Sequence, residues 1–428
     1  RDKVLFVLGC TGIGKSELAI QIAERLRLKK ISAEIINLDA MQIFKGLNIG
    51  TNKPTNQDIQ RVKHHMFGVI DEMDVKYSVR DYVHDTRELI SKMNQDSKIP
   101  IVVGGTNYYA AALAFEDYLQ SNDPETEPNK DENNEGQSDY TYERLCQVDP
   151  ISANKIHPNN TRKIESILKA FDKYGKKSDI QTQPKHTLRF DSKFIYLSPD
   201  DRSKLYQRID ERVNKMLERG LVQENIDFDA KFNVLNDTDI NNKVQHGILQ
   251  CIGFKEFIPL LKCVRDGRDP ESVITQCTIA LQTATRNYAR KQDSWLRNKW
   301  AGHGSPLIND SLLYELVVPC ASEYSSKEER EVAEFEWKTN VVDVGVDVAL
   351  SLVDPNVDMK RLEEFVVREV KSSDAKTKEW KKFVCEICDG RVVNGPHEWD
   401  VHLRSQGHRV ATRRKNRLKF LESTKPKQ

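Results

Sequence analysis

Residues 9–16 read Gly-Cys-Thr-Gly-Ile-Gly-Lys-Ser, the G-x-x-x-x-G-K-[ST] spacing of a phosphate-binding loop. Glycines so spaced let successive backbone N–H groups turn inward around a phosphate at the positive end of a helix. Lys15 adds a point charge, and the Ser16 hydroxyl is placed to ligate Mg²⁺. Gly12, Ile13, Gly14, Lys15 and Ser16 are thus the candidate residues for binding a di- or triphosphate. Asp39 closes an apolar run, Ala33 to Leu38. A carboxylate at a strand end within reach of a phosphate loop is a natural proton acceptor, although Asp is also a favoured N-cap. Near the end of the chain, Cys385-x₂-Cys388-x₁₃-His402-x₅-His408 supplies two soft and two borderline ligands. That set suits tetrahedral Zn²⁺ and leaves no open position, so one structural zinc is expected.

The elements that must position these groups are legible as alternating patterns. Val4–Leu8, Ala33–Leu38 and Ile99–Val103 are short apolar strands separated by helical patterns. Such alternation predicts a parallel α/β sheet with functional groups at the strands' C-terminal ends, where Asp39 and Thr106 fall. A further strand, Lys193–Leu197, ends at Ser198-Pro199-Asp200-Asp201, a helix-start signal for Arg202–Arg219. On that helix Leu205, Ile209, Val213, Met216 and Leu217 form an apolar stripe, with Arg208 and Arg212 sharing a neighbouring face. Helices are predicted over Tyr142–Tyr174, Ile248–Leu261 and Pro270–Lys299. Residues 120–139 are polar, acidic and expected to be disordered; 301–373 reads as a connector with some structure of its own. His64-His65 has no second ligand set spaced nearby, which favours a structural or nucleic-acid role over a metal site.

The chain has 428 residues, enough for two or three domains, and 66 Lys+Arg against 65 Asp+Glu. The balance is uninformative but the distribution is not. Lys376–Gln428 carries fourteen basic and six acidic residues, whereas Glu116–Glu143 carries ten acidic residues and one basic. A basic tail on a near-neutral protein is the footprint of a nucleic-acid contact. Six cysteines (Cys10, Cys146, Cys251, Cys263, Cys277, Cys320) are scattered singly, so no disulfide framework is expected and a reducing compartment is. No apolar run approaches the roughly 18 residues of a membrane span.

Taken in order, the motifs resemble the tRNA dimethylallyltransferases (tRNA isopentenyltransferases). The blocks are Gly9–Ser16, Asp39–Gly46 with Ile49–Pro54, His64-His65, Pro100–Thr106, His157–Asn160, Leu205–Met216, Ile252–Glu256 and Thr285–Gln292, and the likeness runs to Arg297. The C-terminal zinc finger is similar to that of the eukaryotic members. The resemblance implies a nucleoside-kinase-like P-loop α/β core with a helical insertion and a Cys₂His₂ finger. It divides the chain into a catalytic core over 1–115 and 191–300, an acidic loop and insertion over 116–190, a connector over 301–375 and the finger over 376–428.

It also implies an activity: transfer of the dimethylallyl group of dimethylallyl diphosphate to N6 of adenosine 37 in tRNA. On the matched positions Asp39 is the base, Thr11 contacts the diphosphate or the transferring group, and Arg212 contacts the diphosphate. Asp39, Ala40, Met41, Gln42, Thr106, Arg162 and Lys163 match positions that meet the tRNA, through its anticodon stem-loop. Mg²⁺ is expected with the diphosphate. Three positions depart from the pattern: Cys10 for a proline or threonine, Ala40 for a serine, and Ser166 for an arginine. A monomer is expected, in the cytoplasm, with mitochondrion or nucleus open because the chain begins at Arg1 without an initiator methionine. The rival readings are an adenylate isopentenyltransferase, a P-loop kinase of a small metabolite, and a non-catalytic nucleic-acid-binding NTPase.

Overall fold

A computed structural model describes residues 1–119, 140–154, 156, 158, 161–174, 187–236, 244, 247–301, 312–323, 325–367, 382–388, 391–394 and 396–423. The acidic stretch 120–139 lies outside the described residues. Contacts divide the chain into two units: residues 1–116 with 186–370, and 117–185 with 371–428.

The first unit is built on six parallel strands: β1 (Lys3–Gly9), β2 (Ser32–Asn37), β3 (His64–His65), β4 (Lys98–Gly104), β5 (Asp191–Pro199) and β6 (Leu313–Val318). Their order is β3-β2-β4-β1-β5-β6. Val4 to Leu8 of β1 are fully buried, as a near-continuous apolar run in a sheet covered on both faces must be. Phe6 pairs with Phe194 across β1 and β5, and their rings stack 4.7 Å apart, which helps to hold the register. The chain builds one side of the sheet first and crosses to the other after β4. The loops after β1, β2 and β4 therefore open at the carboxyl edge, beside the place where the strand order reverses.

The 301–375 stretch is more than a tether. It supplies β6, then a helix Lys327–Glu336, a π-helical turn Trp337–Val342 and a helix Asp343–Leu350. Val341, Val342, Val344, Val348 and Ala349 are buried in the same core as β1 and the phosphate-loop helix (Lys15–Leu28). Asp343 pairs with Arg25 of that helix at 3.0 Å. Ile248–Leu261 is not one helix. It forms 3₁₀ turns at Gly247–Gln250 and Lys255–Phe257, and the α-helix Ile258–Arg265 begins with Pro259 in its first turn. The last long helix, Glu271–Trp295, widens into a π turn over Leu296–Trp300.

In the second unit the described residues of the predicted helical insertion form three helices, Tyr142–Val148, Pro150–Asn154 and Thr161–Tyr174. Leu145, Ala153, Ile156, Ile164, Ile167 and Leu168 form a small core of their own. The chain leaves and re-enters the first unit at neighbouring points. Phe115 bridges Leu188, and Arg189 N–H donates to the Ala114 carbonyl at 2.8 Å.

Candidate active site and metal centre

The phosphate loop takes its shape from β1 behind it and the helix that follows. Gly14 is the helix N-cap at φ 105°, a left-handed conformation that favours glycine. A Cβ there would also lie 3.1 Å from the Trp337 ring, so the indole packs directly on the loop. Ile13 points its side chain into the core and can offer a ligand only its backbone.

The loop opens onto a cavity of about 690 Å³. Thr11, Gly12, Gly14, Lys15, Ser16, Asp39, Ala40, Met41, Gln42, Thr106 and Arg212 all line it. Residues from β1, β2, β4 and the helix Arg202–Glu218 thus converge on one space, although Thr11 and Arg212 lie 201 positions apart.

Asp39 caps a turn and faces the cavity at once. One carboxylate oxygen accepts from the Met41 backbone N–H at 2.9 Å, capping the turn, while the residue lines the cavity. Burial raises its pKa, opposed by that backbone donor and by the Lys15 charge. A carboxylate raised toward neutrality is a better proton acceptor than an exposed one. Asn37, fully buried, fixes the turn: its side chain accepts from Asp39 N–H at 2.9 Å and donates to the Asp39 and Met66 carbonyls. Tyr82 holds Asn37 in turn, its hydroxyl donating to the Asn37 carbonyl at 2.7 Å.

Arg212 enters the cavity rather than pairing with its own helix. Asp210 is taken by Arg286 at 2.7 Å, and Glu211 accepts from the Glu323 backbone N–H. Arg212 instead donates to the Thr11 hydroxyl at 2.9 Å, and its Nε is buried with no hydrogen-bond partner. Burial lowers the Arg212 pKa from its ordinary value, with Asp39 opposing. An orphaned buried guanidinium N–H beside a phosphate loop is a donor set for an anion. Arg208 lines a smaller neighbouring cavity of about 380 Å³ instead, shared with Gly12, Arg212, Lys215 and Arg330. Lys15 donates to the Cys10 carbonyl at 2.7 Å, and burial lowers its pKa to about 8. Burial pushes the Cys10 thiol up to about 11, which leaves it an unreactive neighbour.

Thr106 accepts from the Ala40 backbone N–H at 3.1 Å and so ties the β4 loop to the Asp39 turn. The Gln42 amide donates to the Thr51 and Asn52 carbonyls, which commits its donors to the Ile49–Pro54 block. That block is held from the other side by Glu224, which accepts from the Ile49 and Gly50 N–H groups. His65 bonds Glu34 at 2.7 Å in the edge strand, a structural role, while His64 lines the cavity. Gln292 and Tyr288, both within the Thr285–Gln292 block but given no role by the sequence, line it too. Arg162 and Lys163 sit on the helix Thr161–Tyr174, but their side chains lie outside the described residues.

The four predicted metal ligands do come together: Cys385, Cys388, His402 and His408 have ligand atoms within 4.8 Å of one another. Both sulfurs lie 3.5 Å from His408 Nδ1, and His402 Nε2 lies 3.2 Å from it. A tetrahedron with Zn–S of about 2.3 Å and Zn–N of about 2.0 Å requires spacings of roughly 3.3–3.5 Å, so the set fits one structural zinc. Cys385 ends β7 (Lys382–Cys385), which pairs antiparallel with β8 (Arg391–Asn394). The two histidines sit on two helices, Pro396–Arg404 and Gln406–Ser423. The break at Ser405 turns both imidazoles to the same point, which the five-residue spacing would not do on one straight helix. Leu403 is exposed; the finger's core is Phe383 stacked on Trp399 at 5.1 Å, with His402 stacked beyond. Among the described residues no helix is long and apolar enough to cross a membrane.

Residues 42–299 match the family model described as IPP transferase. Over 434 residues the chain is 30% identical to a human tRNA dimethylallyltransferase, covering 97% of this chain and 87% of that one. The Saccharomyces cerevisiae tRNA dimethylallyltransferase is 31% identical over 438 residues, covering 99% and 95%. The Lactobacillus johnsonii enzyme is 36% identical over 305 residues, covering 70% of this chain and 90% of its own. A solved eukaryotic dimethylallyltransferase, described as acting on tRNA, superposes with a TM-score of 0.74 at 28% identity over 99% of both chains. With its phosphate loop, Asp39 and Arg212 facing one cavity and its likeness running nearly end to end, the chain belongs to the IPP transferase family.

Proposed function

We infer that the protein transfers the dimethylallyl group of dimethylallyl diphosphate to N6 of adenosine 37 in tRNA. The observation that carries this reading is the shared cavity: a buried carboxylate, Asp39, faces the same space as Thr11, Lys15 and Arg212. Its volume suits a small prenyl diphosphate together with a nucleobase. The N6–C1 bond forms as the C1–O bond to the diphosphate breaks. The N6 proton passes to Asp39, and negative charge grows on the departing diphosphate oxygen, where the loop N–H groups, Lys15 and Arg212 are aimed. Mg²⁺, held by Ser16 and the diphosphate, would supply further neutralisation of the leaving group. A base within an anticodon loop must leave its stack to enter such a cavity, so the acceptor adenosine is flipped. The finger, with its surplus of basic residues, supports binding of the tRNA backbone.

The test is direct: incubate the protein with radiolabelled dimethylallyl diphosphate, Mg²⁺ and an anticodon stem-loop carrying adenines at 36–38, with AMP as a competing acceptor. Label on the adenine N6 of the stem-loop is expected. Label on AMP alone would make the protein an adenylate isopentenyltransferase, and no transfer to either would end the reading.

A further inference from the structure

Gln292 joins the two halves of the site. It comes from the helix Glu271–Trp295, is 5% exposed, and lines the cavity. Its Oε1 accepts from the Thr11 backbone N–H at 2.8 Å, so it grips the phosphate loop. Its Nε2 donates to the Gly105 carbonyl at 2.9 Å, gripping the loop after β4. Its own backbone carbonyl accepts from the Asn107 side chain at 3.1 Å, which anchors the helix to the turn beyond Thr106. Tyr288, one turn earlier on the same helix, lines the same cavity. A Cβ at Gly105 would lie 2.2 Å from the Gln292 Nε2, so residue 105 must be glycine for the amide to reach its carbonyl.

We propose that Gln292 is a positioning residue for the transfer, a strut that sets the distance between the loop holding the diphosphate and the loop holding the adenine. The inference rests on the proposed prenyl transfer and deepens it. Thr11 carries the bond from Arg212, and Thr106 carries the bond from Ala40 next to Asp39. One amide spans these two assemblies, with the donor on one side and the acceptor on the other. Only a primary carboxamide has both at this reach. A strut between two substrates affects their relative placement more than the affinity of either. A misplacement of about 1 Å between reacting groups costs on the order of 100-fold in rate.

The variants are Gln292→Met, which keeps the length and loses both bonds, and Gln292→Glu, which keeps an acceptor for Thr11 but turns an acceptor toward the Gly105 carbonyl. For each, kcat is measured in single turnovers at saturating substrates. Equilibrium Kd is measured separately for dimethylallyl diphosphate with Mg²⁺ and for the stem-loop, and melting is followed in parallel. The expected result is a kcat loss of roughly 10- to 100-fold for both variants, with each Kd within about threefold of wild type. Unchanged kcat, whatever happens to the melting temperature, overturns the proposal. So does a loss confined to the Kd of one substrate, which would make Gln292 a binding contact. Should the Gln292 variants fail to fold, Gly105→Ala displaces the same amide while leaving its chemistry intact. It must then lower kcat in the same way, and wild-type kcat in Gly105→Ala refutes the strut. Wild-type protein run alongside separates the two readings: if it transfers no label to the stem-loop, the proposed function has failed, not the strut.

Discussion

Lys15 titrates within reach of ordinary buffers, and its charge should govern substrate affinity there. Burial lowers its pKa from 10.5 to about 8, with Asp39 pulling it up and Arg212 pushing it down. That fall corresponds to roughly 3 kcal/mol of lost stabilisation of the ammonium in the free site. A bound diphosphate returns the lost stabilisation, because an anion at the loop favours the charged lysine. Below about pH 7 the free protein already carries the proton, and affinity for dimethylallyl diphosphate is flat on this account. Above about pH 8 the free lysine is neutral, and the dissociation constant should rise about tenfold per pH unit until the pKa of the complex is reached. Binding at pH 8.5 should accordingly take up close to one proton. Calorimetry of the diphosphate with Mg²⁺ between pH 6.5 and 9.5, in buffers of different ionisation enthalpy, measures both quantities. Lys15→Arg provides the control. A guanidinium does not deprotonate in this range, so its affinity, weaker or not, should lose the alkaline slope. Constant affinity from pH 7 to 9.5 with no proton uptake in the wild type would mean that Lys15 keeps its proton in the free site.

Asp39→Asn should lower single-turnover transfer by ~10²–10⁴-fold with diphosphate affinity nearly intact, since the amide retains the shape but not the basicity; wild-type kcat in this variant would leave Asp39 only its capping bond to Met41. Arg212→Ala should cost roughly 2–4 kcal/mol in kcat/KM for dimethylallyl diphosphate, the scale of one preorganised donor to a leaving group. If kcat/KM is unmoved, Arg208 in the adjoining cavity is the next arginine to test. Replacing Cys385 and Cys388 by Ser should unfold the finger, weaken tRNA binding and flatten its salt dependence, because residues 376–428 carry fourteen basic side chains against six acidic ones. Filter binding across a salt series reads both effects, and a collapse of kcat at saturating tRNA would instead make the finger part of the active site.

What could be read in advance was local. The phosphate loop declares itself in eight consecutive residues, and Asp39 declares itself by ending an apolar strand, because both roles depend on neighbours in the chain. The zinc ligands are equally legible; the helix break at Ser405 is less so, because it rests on one side-chain bond, the Ser405 hydroxyl accepting from the His408 backbone N–H at 3.2 Å to start the second helix. Gln292, Tyr288 and Asn37 act through partners that folding brings from elsewhere, some 281 positions away in the case of Gln292 and Thr11. β3 is two residues long, too short for a periodic signal, and exists because β2 offers it an edge. β6 lies in a stretch that reads only as a connector, and nothing local says that it joins a sheet begun three hundred residues earlier.

The indole of Trp337 against Gly14 bears on how the protein is made. The loop that would grip the diphosphate leaves the ribosome first, whereas the ring that packs on it is encoded about 320 residues downstream. At typical elongation rates of ~5–20 residues per second, Gly14 waits roughly 15–65 s for its cover. During that interval β1 lacks its β5 neighbour for much of the time, and the sheet edge later closed by β6 stays open longer still. Nascent chains of this protein therefore expose a hydrophobic parallel edge while the second half is synthesised. Holding that edge in solution is a task for chaperones, and one that slower translation would lengthen.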